Sequence, residues 1–336
     1  MAYTTIDDPS AYFQTALYTG TGSGQQVIND GNSDLQPDWI WVKRRDGLGY
    51  HQIIDSSRGG TKRLWANDNG AEGTQNNVAS FDSDGFTAGD ESDITPASTS
   101  QVAWQWKANG GTTSSNTDGS ITSTVQANTT AGFSIVTYTG TGSTATVGHG
   151  LGSVPDMLIF KKRSAVDNWY VYHKSITNDY YLVLDSTDAQ NNDVNIWNDT
   201  DPTSSVFSIA NAGVHADGQT MVCYAFAEKQ GYSKFGSYTG NGLEPDGPFI
   251  YTGFKPAWFI GDNKRDPDNV AVAKLGANTN AAESAAVGDN NWDFLSNGFK
   301  IRTQDDAMNK SGVNFIYMAF AESPFVSSEG VPTTAR

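Results

Sequence analysis

At 336 residues the chain is long enough for a sizeable buried core, and its 37% hydrophobic and 12% aromatic content with 35 glycines suits many short strands joined by tight turns. A net charge of −16 argues against a nucleic-acid partner and against docking on anionic lipid, since both require a basic surface. One cysteine, Cys223, excludes an intrachain disulfide; inside the apolar run Met221–Phe226 it reads as a small buried hydrophobe.

In chain order, residues 1–17 show no basic and apolar leader pattern, and no stretch anywhere approaches a membrane span, so neither a signal peptide nor membrane insertion is expected. These residues match nothing later in the chain. They are expected to be an attachment segment docking on a partner protein, with Ile6, Pro9, Tyr12 and Phe13 as its contact residues.

From Tyr18 onward a repeat organises the chain. Tyr18-Thr19-Gly20-Thr21-Gly22 returns as Tyr138-Thr139-Gly140-Thr141-Gly142 and as Tyr238-Thr239-Gly240-Asn241-Gly242. A second anchor follows each, beginning at Pro37, Pro155 and Pro256. A third closes each repeat: Val102-Ala103-Trp104-Gln105-Trp106, Val222-Cys223-Tyr224-Ala225-Phe226 and Ile316-Tyr317-Met318-Ala319-Phe320. The order and near-constant spacing imply three tandem β-sandwich, jelly-roll-like units at 18–108, 132–229 and 230–322.

In the second unit the strands are expected at 133–138, 145–147, 157–161, 169–173, 181–184, 194–197, 206–209 and 221–226. The segment 109–131, almost all Gly, Ser, Thr, Asn and Asp, reads as a linker; a paired edge strand is the minority reading. The third unit is shortened, because Ile260 runs almost at once into Gly261-Asp262-Asn263-Lys264-Arg265 where unit two has the strand Trp169–His173. Residues 323–336 form an extended tail.

Side chains alternate across a strand. The large residues of the closing strands (Trp104 and Trp106, Tyr224 and Phe226, Met318 and Phe320) are therefore expected to fill each sandwich core. The other face is polar in unit one (Gln105, Lys107) and small in units two and three (Ala225, Ala319). That pattern predicts solvent beside the first unit, and a neighbouring unit or chain beside the others.

Chemistry is sparse. His51 and His173 both follow the lysine-ended strand and read as one shared architectural position, with His149 and His215 elsewhere; no nucleophile motif, zinc motif or phosphate loop accompanies them. Asp82-Ser83-Asp84-Gly85 opens like a calcium loop but has Thr87 where glycine is needed and Asp93 where glutamate is, so a turn explains it better. Carboxylates such as Asp199, Asp201, Asp289 and Asp293 single out no pair. No cofactor and no metal are expected. The feature compatible with recognition is a set of aromatics flanked by Asn and Asp: Trp65, Trp169, Trp197 and Trp292, which suit sugar stacking if exposed and sandwich cores if not.

The stretch Thr5-Ile6-Asp7-Asp8-Pro9-Ser10-Ala11-Tyr12-Phe13-Gln14 leads straight into Tyr18-Thr19-Gly20, and Phe81-Asp82-Ser83-Asp84-Gly85-Phe86-Thr87 and the three closing strands follow. Together these resemble an uncharacterised β-domain family repeated in virion structural proteins of marine tailed phages, including those infecting cyanobacteria and SAR11-like bacteria. The resemblance covers essentially the whole chain and carries no known activity or site. It implies a virion location and a structural rather than enzymatic role: a tail-associated fibre or adhesin subunit, homo-oligomeric, among other virion proteins and facing a host surface glycan or receptor. The alternatives are a capsid decoration or head-fibre protein and, ranked lower, a polysaccharide depolymerase.

Overall fold

The computed structural model describes residues 3–90, 93–210, 215–259, 261–284 and 291–334. Among the described residues it is all-β, with two single-turn α-helices and two 3-10 turns. Each repeat contributes one larger antiparallel sheet built around its closing strand: Ser100–Trp106, Thr220–Phe226 or Asn314–Pro324. On one side of that strand lies the opening strand (Phe13–Thr19, Phe133–Thr139 or Ser233–Thr239). On the other side lies the strand that follows the proline anchor in repeats one and two (Trp39–Arg44, Met157–Lys162) and contains Pro256 in repeat three (Phe254–Trp258). A smaller sheet covers one face of each larger one.

The Tyr-Thr-Gly-x-Gly string is the turn that carries the chain from the larger sheet to the smaller. A Cβ on Gly20, Gly140 or Gly240 would stand 2.2, 2.5 or 2.3 Å from a backbone carbonyl oxygen, and Gly22, Gly142 and Gly242 adopt φ of 79°, 66° and 69°. Only glycine meets both demands, which accounts for the string's recurrence.

Which face packs where differs from the expectation. The small residues of the closing strands, Ala103, Cys223, Ala225, Ala319 and Ala321, lie under the smaller sheet of their own repeat, in three separate cores. Ala225 and Ala319 are fully buried, but their neighbour is neither another repeat nor another chain. Gln105, expected to face solvent, is also fully buried and donates through Nε2 to Asn29 Oδ1 at 2.6 Å. The large residues point the opposite way. Trp39, Trp41, Trp104, Trp106, Phe133, Tyr224, Phe226, Trp258 and Phe320 form one core common to all three repeats. Trp39 stacks on Tyr224 at 4.7 Å, Phe133 on Phe226 at 4.8 Å, and Phe320 meets both Trp106 (5.5 Å) and Phe226 (6.0 Å).

Size explains the division. A covering sheet packed at about 10 Å leaves room for methyl and thiol groups beside its own residues, whereas three sheets converging on one line enclose a space that needs rings. Each fully buried aromatic contributes about 1.5–3 kcal/mol, so this shared core holds much of the stability. The large residues thus fill the core shared by the three repeats rather than a core within each repeat.

Three boundaries also shift. Residues 109–131 are not a free linker: Ser114–Asn116 and Ser123–Asn128 pair as the outer strands of the second sheet, with Val125 opposite Val136. Gln126 anchors them to repeat one by donating from Nε2 to the hydroxyls of Ser56 and Ser57. Residues 194–197 are a helical turn rather than a strand, because Asp193 caps it by accepting from Asn195 N and Asn198 ends it in a left-handed conformation. The expected attachment segment belongs to the fold as well: Ile6 and Phe13 are 3% exposed in the shared core, Pro9 is buried, and Tyr12 packs edge-on to Tyr232.

Candidate functional site: the seams between the repeats

Three seams arise where the larger sheets meet, and each has a polar clasp at the corresponding place. Asp55 lies opposite Trp39, His173 opposite Met157 and Asp262 opposite Trp258, so these three are equivalent. Tyr224 of repeat two donates to Asp55 Oδ2 at 2.7 Å, and Trp104 Nε1 of repeat one donates to Asp262 Oδ2 at 2.9 Å. The ring closes through His173, whose Nδ1 accepts from Ser175 N and whose Nε2 therefore carries the proton toward the carbonyl of Tyr317, 3.3 Å away in repeat three. Each repeat thus touches the next in a cycle.

Two of the clasps continue into buried ion pairs. Arg58 donates to Asp55 at 2.5 Å and to Glu72, which also holds Arg163 of repeat two. Arg265 donates to Asp262 at 2.5 Å and to Glu283, which also holds Arg45 of repeat one. The neighbouring carboxylates hold the Arg58 and Arg265 guanidiniums above their ordinary pKa although burial works the other way, and the arginines hold Glu72 and Glu283 below the ordinary carboxylate range against the same burial. The sequence signal, Asp-x-x-Arg at 55–58 and again at 262–265, escaped notice because the missing strand of repeat three moves it much closer to the proline anchor.

The backbone repeats this correspondence. Glu72 N bonds Arg163 O and Glu283 N bonds Arg45 O, while Asp167 N bonds Asn69 O and Gly49 N bonds Asn280 O. Within that frame Lys161 pairs with Trp169, whereas His51 is the residue just before the strand whose Gln52 lies opposite Val42. The counterpart of Trp169 is therefore His51; His173 corresponds to Asp55. The two histidines do not share a position.

Trp169 closes the seam between repeats one and two, with Nε1 donating to Trp65 O at 2.7 Å and approaching Asp68 O at 3.3 Å. His51 faces the corresponding carbonyls of Gly276 and Thr279 with a shorter ring. Its Nδ1 accepts from Trp41 Nε1 at 2.8 Å, so the proton sits on Nε2, and Nε2 makes no hydrogen bond of ordinary geometry. Burial, then the charge of Lys43, push its pKa down to about 3, with the two carbonyls opposing weakly, so the ring is neutral at physiological pH. At the third seam repeat three offers no ring: after Trp258 the chain bridges straight back to Asp262, and no paired strand lies between there and Trp292 among the described residues.

A cavity of about 340 Å³ occupies the space beside these two seams. Trp41, His51 and Trp104 form its wall from repeat one, Met157, Ile159 and Leu184 from repeat two, and Trp258, Phe259 and Met318 from repeat three. The segment Lys274–Ala277 crosses it. A shallower recess adjoins it along Leu182–Leu184 and shares Met157, Leu184, Ala277 and Ile316 with it.

The aromatics expected to bind sugar do not form a platform. Trp169, Trp197 and Trp292 are at most 2% exposed. Trp197 packs on Phe160 and donates to Tyr180 O, and Trp292 lies edge-on to Phe259 in the third repeat's core. Trp65 alone of the four is half-buried, with the Arg63 guanidinium 4.6 Å over its ring and Tyr50 beside it. His149 and His215 organise loops, accepting through Nδ1 from Leu151 N and Thr141 N. Asp82 accepts from Ser80 and Thr87, as a turn residue does. Among the described residues no three His, Cys, Asp or Glu side chains gather as a metal site, and no helix is long and apolar enough to cross a membrane. Asp289 lies outside the described residues.

A family model described as a domain of unknown function, DUF7483, matches residues 8–324, a span that takes in all three repeats and most of the N-terminal segment. No curated protein and no solved structure matches the chain.

Proposed function

We propose that this chain, which belongs to the DUF7483 family of domains of unknown function, is a non-enzymatic structural module of a phage virion, mounted on a tail fibre or adhesin that meets the host surface. The phage assignment rests on the sequence resemblance. The observation that supports a mounted module is where the two ends of the chain run. Tyr3 donates to Gly253 O, Asp7 accepts from Ser328 N at 2.6 Å, and Tyr3 and Phe325 pack edge-on, so the first and last described segments lie side by side. The opening strands carry the chain away from the central ring cluster toward the three glycine turns, roughly 20 Å for seven residues.

The shared core supports the same reading mechanically. Three sheets bury their large faces on each other within one chain, and the small-residue faces, beside which a neighbouring unit or chain was expected, are covered by each repeat's own smaller sheet. Antibodies raised against the purified chain test the reading on virions by immunogold microscopy. Labelling at the tail fits a fibre or adhesin, labelling over the head turns the proposal into capsid decoration, and unlabelled particles overturn it. Release of reducing ends from host polysaccharide would reinstate the depolymerase.

A further inference from the structure

We propose that the free edge of the third repeat's smaller sheet, the strand Phe249–Tyr251, takes an extended, serine- and threonine-rich segment of another polypeptide as an added parallel strand. The argument comes from comparing the same edge in the three repeats. Val27 opposite Phe86, Val147 opposite Phe207 and Ile250 opposite Phe299 are equivalent buried pairs. Their neighbours along the edge strand therefore correspond too: Gln26 and Ile28, Thr146 and Gly148, Phe249 and Tyr251.

In repeat two the chain covers this edge itself. Ile121 bridges Val147 in parallel, and its N–H donates to Thr146 O at 3.0 Å. Ser120 Oγ accepts from Thr146 N at 2.9 Å, and Ser123 Oγ donates to Gly148 O at 2.7 Å. Ile121 and Ser123 become buried in the process. The same segment lays Asn116 across Gly148, where a Cβ would stand 1.6 Å from its Oδ1.

In repeat three nothing described plays this part, and the join Ala227–Tyr232 is too short to supply a covering segment. Pro248 O accepts from Ile301 N and Thr252 N donates to Asn297 O. Antiparallel bonding alternates, so Ile250 bonds Phe299 while the N–H and C=O groups of Phe249 and Tyr251 point away from the sheet. Among the described residues no hydrogen bond meets those four groups. No charge, proline or bulge blunts these three residues, and their two outward rings are 48% and 52% exposed. Repeat one has only one apolar residue, Ile28, at the two positions. A guest strand gains backbone bonds from such an edge and side-chain packing from its rings. The edge also lies beside the first described segment, with Tyr3 Oη 3.4 Å from Tyr251 Oη, on the side where the mounted-module reading puts the neighbouring protein.

The test titrates the isotopically labelled full chain with a synthetic peptide of the sequence Thr117–Val125 and follows backbone amides by NMR. Saturable shifts centred on the Phe249 and Tyr251 amides are expected. Phe249→Pro removes a donor that points away from the sheet and leaves the pairing of Ile250 with Phe299 in place. It should weaken binding roughly tenfold, the loss of about one backbone hydrogen bond, without lowering the melting temperature. Tyr251→Lys puts a charge on the edge and should do likewise, which keeps the test decisive if the first variant folds poorly. Absence of saturable shifts at the two amides overturns the proposal, as does unchanged affinity in either variant that still unfolds cooperatively. A dimer in sedimentation equilibrium that Phe249→Pro dissociates also overturns it, because a second copy then occupies the edge. Failure here removes the guest strand and leaves the immunogold outcome untouched, so the two readings fail separately.

Discussion

The phenolic oxygen of Tyr224 stands 2.7 Å from Asp55 Oδ2 and 3.1 Å from Arg58 Nη2, although Tyr224 lies on the closing strand of the second repeat and the ion pair belongs to the first. Burial and the carboxylate push the phenol far above its ordinary pKa, so it acts as a donor to Asp55 and an acceptor from Arg58. Tyr224→Phe removes both bonds and should cost about 1.5–3 kcal/mol in urea unfolding. Asp55→Ala leaves Arg58 buried with only Glu72 as its acidic partner and should cost more, about 3–5 kcal/mol. Equal costs would mean that the phenol, not the ion pair, dominates the clasp.

Phe13 and Ile6 place the N-terminal segment inside the body. Phe13→Ala should cost about 3–5 kcal/mol, and removal of residues 1–17 should give an unfolded or aggregated chain rather than a folded one that merely fails to attach. A truncated chain with full thermal stability would restore the attachment reading.

Trp65 and Trp169 sit together yet should respond differently. Trp65→Ala removes a half-buried ring and should stay within about 1 kcal/mol, whereas Trp169→Ala opens the first seam and should cost about 3–5 kcal/mol. If Trp65→Ala abolishes binding to host glycans while stability holds, the sugar-stacking role survives at this single position.

The histidines set the acid limb of stability. Burial lowers His51 to about 3 and His173 to about 4 in the folded chain, against about 6.5 unfolded. Between these values the unfolded state binds more protons, so stability is complete above about pH 6.5 and falls as the pH drops toward 4 and then 3. His173→Gln should flatten the upper part of that decline in chemical unfolding measured from pH 7 to 4. A wild-type midpoint that does not move over this range contradicts the burial of both rings.

Much of the architecture is legible in the residues. The Tyr-Thr-Gly-x-Gly turns announce the repeat because their glycines have no substitute, and alternation along Val102–Trp106 and Val222–Phe226 separates two faces. Alternation does not say what each face meets. Alanines at 103, 225 and 319 mark a closely packed covering sheet, and the rings at 106, 226 and 320 mark a three-walled space, but that distinction emerges only once the strands are assembled. The cavity was hidden for a similar reason. Its walls come from all three repeats, and Trp41, Met157 and Trp258 meet only once the sheets are assembled. The strands within 109–131 were missed because Val125 and Ile121 are their main apolar anchors, too few to show a period.

Differential scanning calorimetry of the full chain carrying Phe226→Ala tests the shared core most directly, since Phe226 touches rings of all three repeats: Trp39, Phe133 and Phe320. One endotherm that moves down as a unit, with calorimetric and van't Hoff enthalpies in agreement, is the predicted result. Separate transitions, of which only the second repeat's moves, would contradict it.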